Sequence, residues 1–250
     1  MRKQLLFVLC SVLVVPALSG LVSAQALTAD QIVEKHLTAL GGREALAKIT
    51  SRRAVGTINV ATPVGALTGP VEMLAKAPNK MRADIRVDTT AVGGPGEMII
   101  AEFFDGTGGW SLNSLTGDNP MEGDQLEAAK NNYFPSPLLK YKEMGITATV
   151  EAAQQIGGRN TLVVLFSPKT GPKERMFFDA ETFMMVRSTS TVNLPQVGAT
   201  ETMSEPSDYR VVGGVKVAFQ LAQTAGAQSF TIKFTTIENN VTIDEAKFKK

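Results

Sequence analysis

The chain has 250 residues, and its 25 Lys and Arg nearly balance 24 Asp and Glu, for a formal net charge of +1. That balance excludes the clustered basicity by which nucleic-acid binders displace counterions. A composition with 44% hydrophobic and 20% charged residues excludes a disordered chain. One cysteine and one histidine remove most metal sites, disulfide frameworks and histidine-based triads, so neither a cofactor nor a metal is expected.

The first segment reads as an address. Arg2 and Lys3 precede an apolar run from Leu5 to Val15, which Pro16 and Gly20 break. Val22-Ser23-Ala24 and Ala24-Gln25-Ala26 then offer small-residue cleavage sites. This is the layout of a signal peptide over residues 1–26, cleaved after Ala24 or Ala26. The apolar run is too short and too broken for a membrane anchor. Cys10 follows Phe7-Val8-Leu9 and forms no lipobox. Cleavage leaves a cysteine-free chain with 23 basic against 24 acidic residues. Residues 27–250 are then expected to form one exported domain held by its own core, for which about 225 residues suffice.

Thr28 with Gln31 is a capping-box pattern, and Ile32, Val33, Leu37 and Leu40 follow at helical spacing until Gly41-Gly42 stops the helix. Residues 43–49 form a second short helix. From Ser51 the apolar period changes from 3.6 to 2, predicting strands over 54–60, 70–76 and 80–88. In the last of these, Met81, Ala83, Ile85 and Val87 alternate with charged residues, giving one dry and one wet face. Residues 98–104 and 110–112 follow as strands around the Asp105-Gly106-Thr107-Gly108-Gly109 turn. Residues 121–132 read as a helix with Leu126 and Ala129 inward, and 135–143 as a short apolar turn or helix. Strands resume at 146–151, 161–166, 174–178, 183–190, 199–204, 209–212, 215–221 and 230–237. Gly157-Gly158 marks a turn, and Gly213-Gly214 a two-residue hairpin. Phe103-Phe104-Asp105 before Thr107 echoes Phe177-Phe178-Asp179 before Thr182, which reads as two hairpins with the same turn chemistry. The fold class is α+β, dominated by an antiparallel meander.

The search for catalytic motifs finds little. His36 lies mid-helix and reads as a surface or boundary residue. Lys169-Thr170-Gly171 matches one fragment of the penicillin-recognising serine hydrolases, but no S-x-x-K or S-D-N accompanies it, so it reads as a turn. Gly93-Gly94-Pro95-Gly96 and the glycines after Asp105 lack the Lys-Ser/Thr of a phosphate loop. The acidic groups Glu122/Asp124/Glu127 and Glu201/Glu205/Asp208 are too sparse for calcium loops.

Nine methionines follow Met1, and methionine adapts to irregular apolar partners. An open antiparallel sheet must cover its apolar face, and few helices are available to do it. A concave apolar pocket is therefore expected, with Met73, Met81, Ile85, Val87, Met98, Ile100, Trp110, Leu126, Leu138, Phe178 and Met184 as its candidate lining.

Several stretches carry a resemblance. They are residues 32–46 with Gly56, Phe104-Asp105-Gly106 leading to Trp110, and Phe178-Asp179-Ala180-Glu181-Thr182. The most specific are Asp208-Tyr209-Arg210, Gly213-Gly214-Val215-Lys216-Val217 and residues 241–248. Together, over residues 27–250, they resemble the outer-membrane lipoprotein-sorting proteins of the LolA-like superfamily. The resemblance implies an incomplete antiparallel β-barrel, a half-barrel wrapped around a few helices, with an apolar cavity. The best-known members carry lipoprotein acyl chains across the periplasm; relatives sense envelope lipids or mislocalised lipoproteins and regulate a membrane partner. This chain is longer than the best-known carrier, and none of its residues is assigned to that carrier's functional arginine. The expected protein is a periplasmic monomer, secreted if its source lacks an outer membrane. It carries a lipid or lipoprotein toward the outer membrane without catalysis. The alternative is an envelope sensor or interaction module with a filled cavity and an envelope membrane protein as partner.

Overall fold

A computed structural model describes residues 26–62, 65–114, 117–194 and 198–250. The expected signal peptide lies, but for Ala26, outside them. Helix α1 (Ala29–Ala39) opens the described chain with the capping box of Thr28 and Gln31 in place, and α2 (Arg43–Ala47) follows. Strands β1 (Ser51–Thr62), β2 (Gly65–Lys76), β3 (Lys80–Asp88), β4 (Glu97–Phe104), β5 (Gly109–Asn113) and β6 (Gly117–Pro120) form a first meander. Helix α3 (Gly123–Asn131) and a 3-10 turn at Pro137–Leu139 separate it from a second. That one comprises β7 (Thr147–Ile156), β8 (Arg159–Ser167), β9 (Glu174–Asp179), β10 (Met185–Leu194), β11 (Gly198–Val212), β12 (Val215–Ala225) and β13 (Gln228–Asn239).

The two meanders join where the first and last strands pair, β1 antiparallel to β13, giving one 13-stranded sheet with β6 and β7 at its edges. The sheet is not closed into a barrel: no pairing joins β6 to β7 among the described residues. This is the open α+β half-barrel expected from the sequence. Residues 121–146, which connect the two edges, run across the concave face. Asp124 accepts from the backbone N–H of Asn193 at 2.9 Å, on β10, and the Phe134 N–H donates to the Pro78 carbonyl at 2.7 Å, after β2.

Several boundaries differ from the sequence reading, each for a local reason. Residues 199–204 and 209–212 belong to one strand, because the pairing with β12 runs past Pro206 in a single register on both sides of Asp208, which stands at φ 51°. The strand expected to begin at 183 begins at Met185. Asp179 collects the N–H groups of Glu181 and Thr182 and the Thr182 hydroxyl, which turns the chain and leaves Phe183 at φ 56°. Asp105 closes its turn in the same way on Thr107 and Gly108, so the sequence echo is shared turn chemistry. β6, with four exposed residues, carries no apolar pattern that sequence could show. His36 is a further correction. It is buried, because α1 turns it with Ile32, Val33 and Leu37 onto the sheet, where it lies 4.9 Å from the Phe178 ring.

The two largest apolar clusters occupy part of the concavity. One packs α1 and α2 with Leu138, Leu139, Tyr141, Val164, Phe166, Met176 and Phe178. The other lies between β1, β2, β3, β12 and β13, around Ile58, Val71, Val87, Phe219 and Ile232.

Candidate functional site

Strand periodicity decides what faces the concavity. On β1, Arg52 and Ala54 point inward, while Arg53 points outward to Glu72 at 2.6 Å. On β2 and β3, Met73 and Met81 do the same. Two cavities result, of about 450 and 440 Å³, both within the range of roughly 300–1,000 Å³ usual for small-molecule sites. They adjoin, sharing Met81, Asn132, Pro137, Leu138 and Met176 as common wall.

The larger cavity is mainly apolar, with Met73, Met81, Leu138, Met185, Leu221, Phe234 and Ile237 in its wall. Its polar residues include Arg82, Asn132, Ser136 and Lys216, and three others are held in place. His36 Nδ1 sits 2.8 Å from the Phe183 carbonyl, and burial pushes its pKa down, so the ring is neutral and donates that bond. The Tyr209 hydroxyl donates to the Met185 carbonyl at 2.9 Å. Arg52 donates through Nε to Asn239 Oδ1 at 2.8 Å, and its guanidinium lies 5.5 Å from the Phe134 ring centroid. Burial pushes this guanidinium down to about 10.

The second cavity carries acids instead. Glu102 from β4 and Glu174 from β9 both line it, beside Met121, Gln125, Ser190 and Thr202. Enclosure raises the pKa of both, partly offset by a hydrogen bond from Ser111 to Glu102 and from Ser188 to Glu174.

The candidate lining residues fall into three places. Met73, Met81 and Leu138 line the larger cavity, and Met81 and Leu138 line both. Val87 is buried in the β1/β2/β13 cluster, with Ile85 and Met98 packed against it, and Ile100 pairs with Ile85. Leu126 packs on Phe104, Met121 and Ala129, and Phe178 is fully buried against His36. The remaining two lie elsewhere. Trp110 pairs with Phe103, on the sheet face opposite Met81, with the Lys250 ammonium 4.1 Å from its ring centroid. Met184 sits in the turn before β10, its carbonyl accepting from the Asp179 N–H. Sequence reading missed Arg52, Glu102 and Glu174. The signal was present: each keeps the parity of inward apolar neighbours, Arg52 with Ala54, Glu102 with Ile100 and Phe104, Glu174 with Met176 and Phe178.

No family model and no curated protein matches the sequence. Solved structures do match the fold. A LolA superfamily protein from Nitrosomonas europaea is 13% identical, with a TM-score of 0.57, covering 90% of this chain and 99% of that one. A domain described as an outer-membrane lipoprotein-sorting protein from Vibrio parahaemolyticus is 9% identical, with a TM-score of 0.55 and coverages of 88% and 95%. A DUF1329 family protein from Desulfovibrio piger gives 9%, 0.55, 88% and 97%. At such identities the likeness concerns architecture, and with the open sheet and its crossing segment it shows that this chain has the LolA-like fold.

Proposed function

We propose that this chain is an exported periplasmic binding protein whose concave cavity holds acyl chains, carrying a lipid or lipoprotein toward the outer membrane without catalysis. The observation that supports this most is the unfilled apolar space of about 450 Å³ beneath residues 121–146. The methionines in its wall suit a flexible aliphatic guest, and each methylene buried there contributes about 0.8 kcal/mol. The lipoprotein-sorting description of the Vibrio parahaemolyticus domain is consistent with this reading. The sensor alternative expects a concavity filled by its own side chains; Leu138 and Pro137 enter it but leave space on either side.

The test is mass spectrometry of an organic extract from detergent-free protein expressed in a periplasm. Stoichiometric phospholipid or fatty acid supports the carrier. An empty extract from folded protein favours the sensor. A hydrolytic reading requires a perturbed acid beside a cleft, which Glu102 and Glu174 supply. Ester hydrolysis that disappears in Glu174→Gln would replace the proposal with that reading.

A further inference from the structure

Nine arginines of the described chain fall into two groups. Arg43, Arg53, Arg82, Arg159, Arg175, Arg187 and Arg210 each lie within 4.0 Å of a carboxylate. Arg52 and Arg86 do not; of these two, only Arg52 lines the larger cavity, where Arg82, already paired with Asp84, is the other arginine. A cation enclosed without a counter-charge costs stability unless something supplies one. Its orientation is also fixed. Asn239 donates through Nδ2 to the Val212 carbonyl at 3.1 Å, which turns Oδ1 onto Arg52 Nε, while the Phe134 ring lies against the guanidinium. Nη1 and Nη2 are left with no protein acceptor among the described residues, yet neither is buried without a partner. Both therefore open onto space. The pair of N–H donors at the end of a guanidinium matches the two oxygens of a carboxylate or phosphate. The contact is built at the seam of the sheet, where Arg52 of the first strand faces Asn239 of the last.

We propose that the larger cavity selects single-chain amphiphiles with an anionic head group, the carboxylate or phosphate pairing with Arg52 while the alkyl chain lies against Met73, Met81 and Leu138. Asn239 is a positioning residue. The proposal rests on the acyl-binding reading above and adds the charge of the guest.

Three chain-matched probes separate the two ideas: dodecanoate, dodecyl phosphate and 1-dodecanol, each displacing the uncharged dye N-phenyl-1-naphthylamine from delipidated protein. One charge-assisted pair predicts that an anionic probe binds about ten- to a hundredfold tighter than the alcohol. The tighter of the two anions identifies the head group. Arg52→Met should bind all three within about threefold while keeping its affinity for dodecanol. Asn239→Asp places a carboxylate beside Nε and should also erase the preference, with Arg52 still present; it serves where Arg52→Met lowers the melting temperature. Equal binding of the three probes to the unaltered protein overturns the proposal and leaves the acyl-binding reading standing, as does a preference that survives in Arg52→Met. Failure of all three to displace the dye overturns both.

Discussion

Arg52 and Arg53 are adjacent, yet one meets a cavity and the other an ion pair with Glu72, because a strand sends successive side chains to opposite faces. The same rule separates Met81 from Ile85. Both lie on the inward face of β3, but Met81 borders the two cavities, while Ile85 packs into the cluster around Val71 and Val87. Met81→Asp is therefore expected to abolish acyl binding with the fold retained, and Ile85→Asp to unfold the protein; circular dichroism and dye binding on both variants check this. Titration gives a second expectation. Enclosure raises Glu174 above its usual 4.5, so the folded state holds a proton that the unfolded chain has released, and stability falls as pH rises from that point. Glu174→Gln should then melt higher than the unaltered protein at pH 7 and gain little at pH 4. His36 acts in reverse. Burial lowers it from 6.5, so unfolding takes up a proton below that pH and stability falls as pH drops. In His36→Asn, whose amide can still donate to Phe183, the loss between pH 7 and 5 should shrink.

At the level of elements, the alternation in residues 80–88 placed β3 to the residue, and the Gly213-Gly214 pair placed the β11–β12 hairpin. Both glycines take positive φ, 60° and 87°, as a two-residue turn between paired Val212 and Val215 requires. Elements without a period were not legible. β6 is four exposed residues held by pairing to β5, and the continuity of β11 depends on its in-register pairing with β12 on both sides of Asp208. Gly56 shows how an element can depend on its partner. The β1–β13 register slips between Val55 and Gly56, and a Cβ at 56 would come within 2.1 Å of the Lys233 carbonyl oxygen. Gly56→Ala should cost several times the roughly 0.5–1 kcal/mol that a strand usually gains from such a change. Urea denaturation would show this as a lower midpoint.

The whole molecule is an open sheet whose edges are bridged by its own chain. Leu138 stands where that bridge divides the concavity, buried and lining both cavities. Leu138→Ala should lower stability by about 2–5 kcal/mol and shift the preferred guest toward longer chains, as an alkyl series in the dye assay would reveal. Sequence by itself determined the strand-rich α+β class, the helix-to-strand change at Ser51, the principal turns and the inward set of β3, because each follows from periodicity or from the φ demands of a few residues. Only the tertiary structure decided that β1 pairs with β13, that residues 121–146 cross the concave face, and which inward residues meet open space. Met73 and Val87 carry the same strand signature, yet one lines a cavity and the other is buried in the core. A side chain's parity is a local property. Whether anything packs against it depends on strands and segments far away in the chain, as the contact between Arg52 and Asn239, 187 residues apart, makes plain.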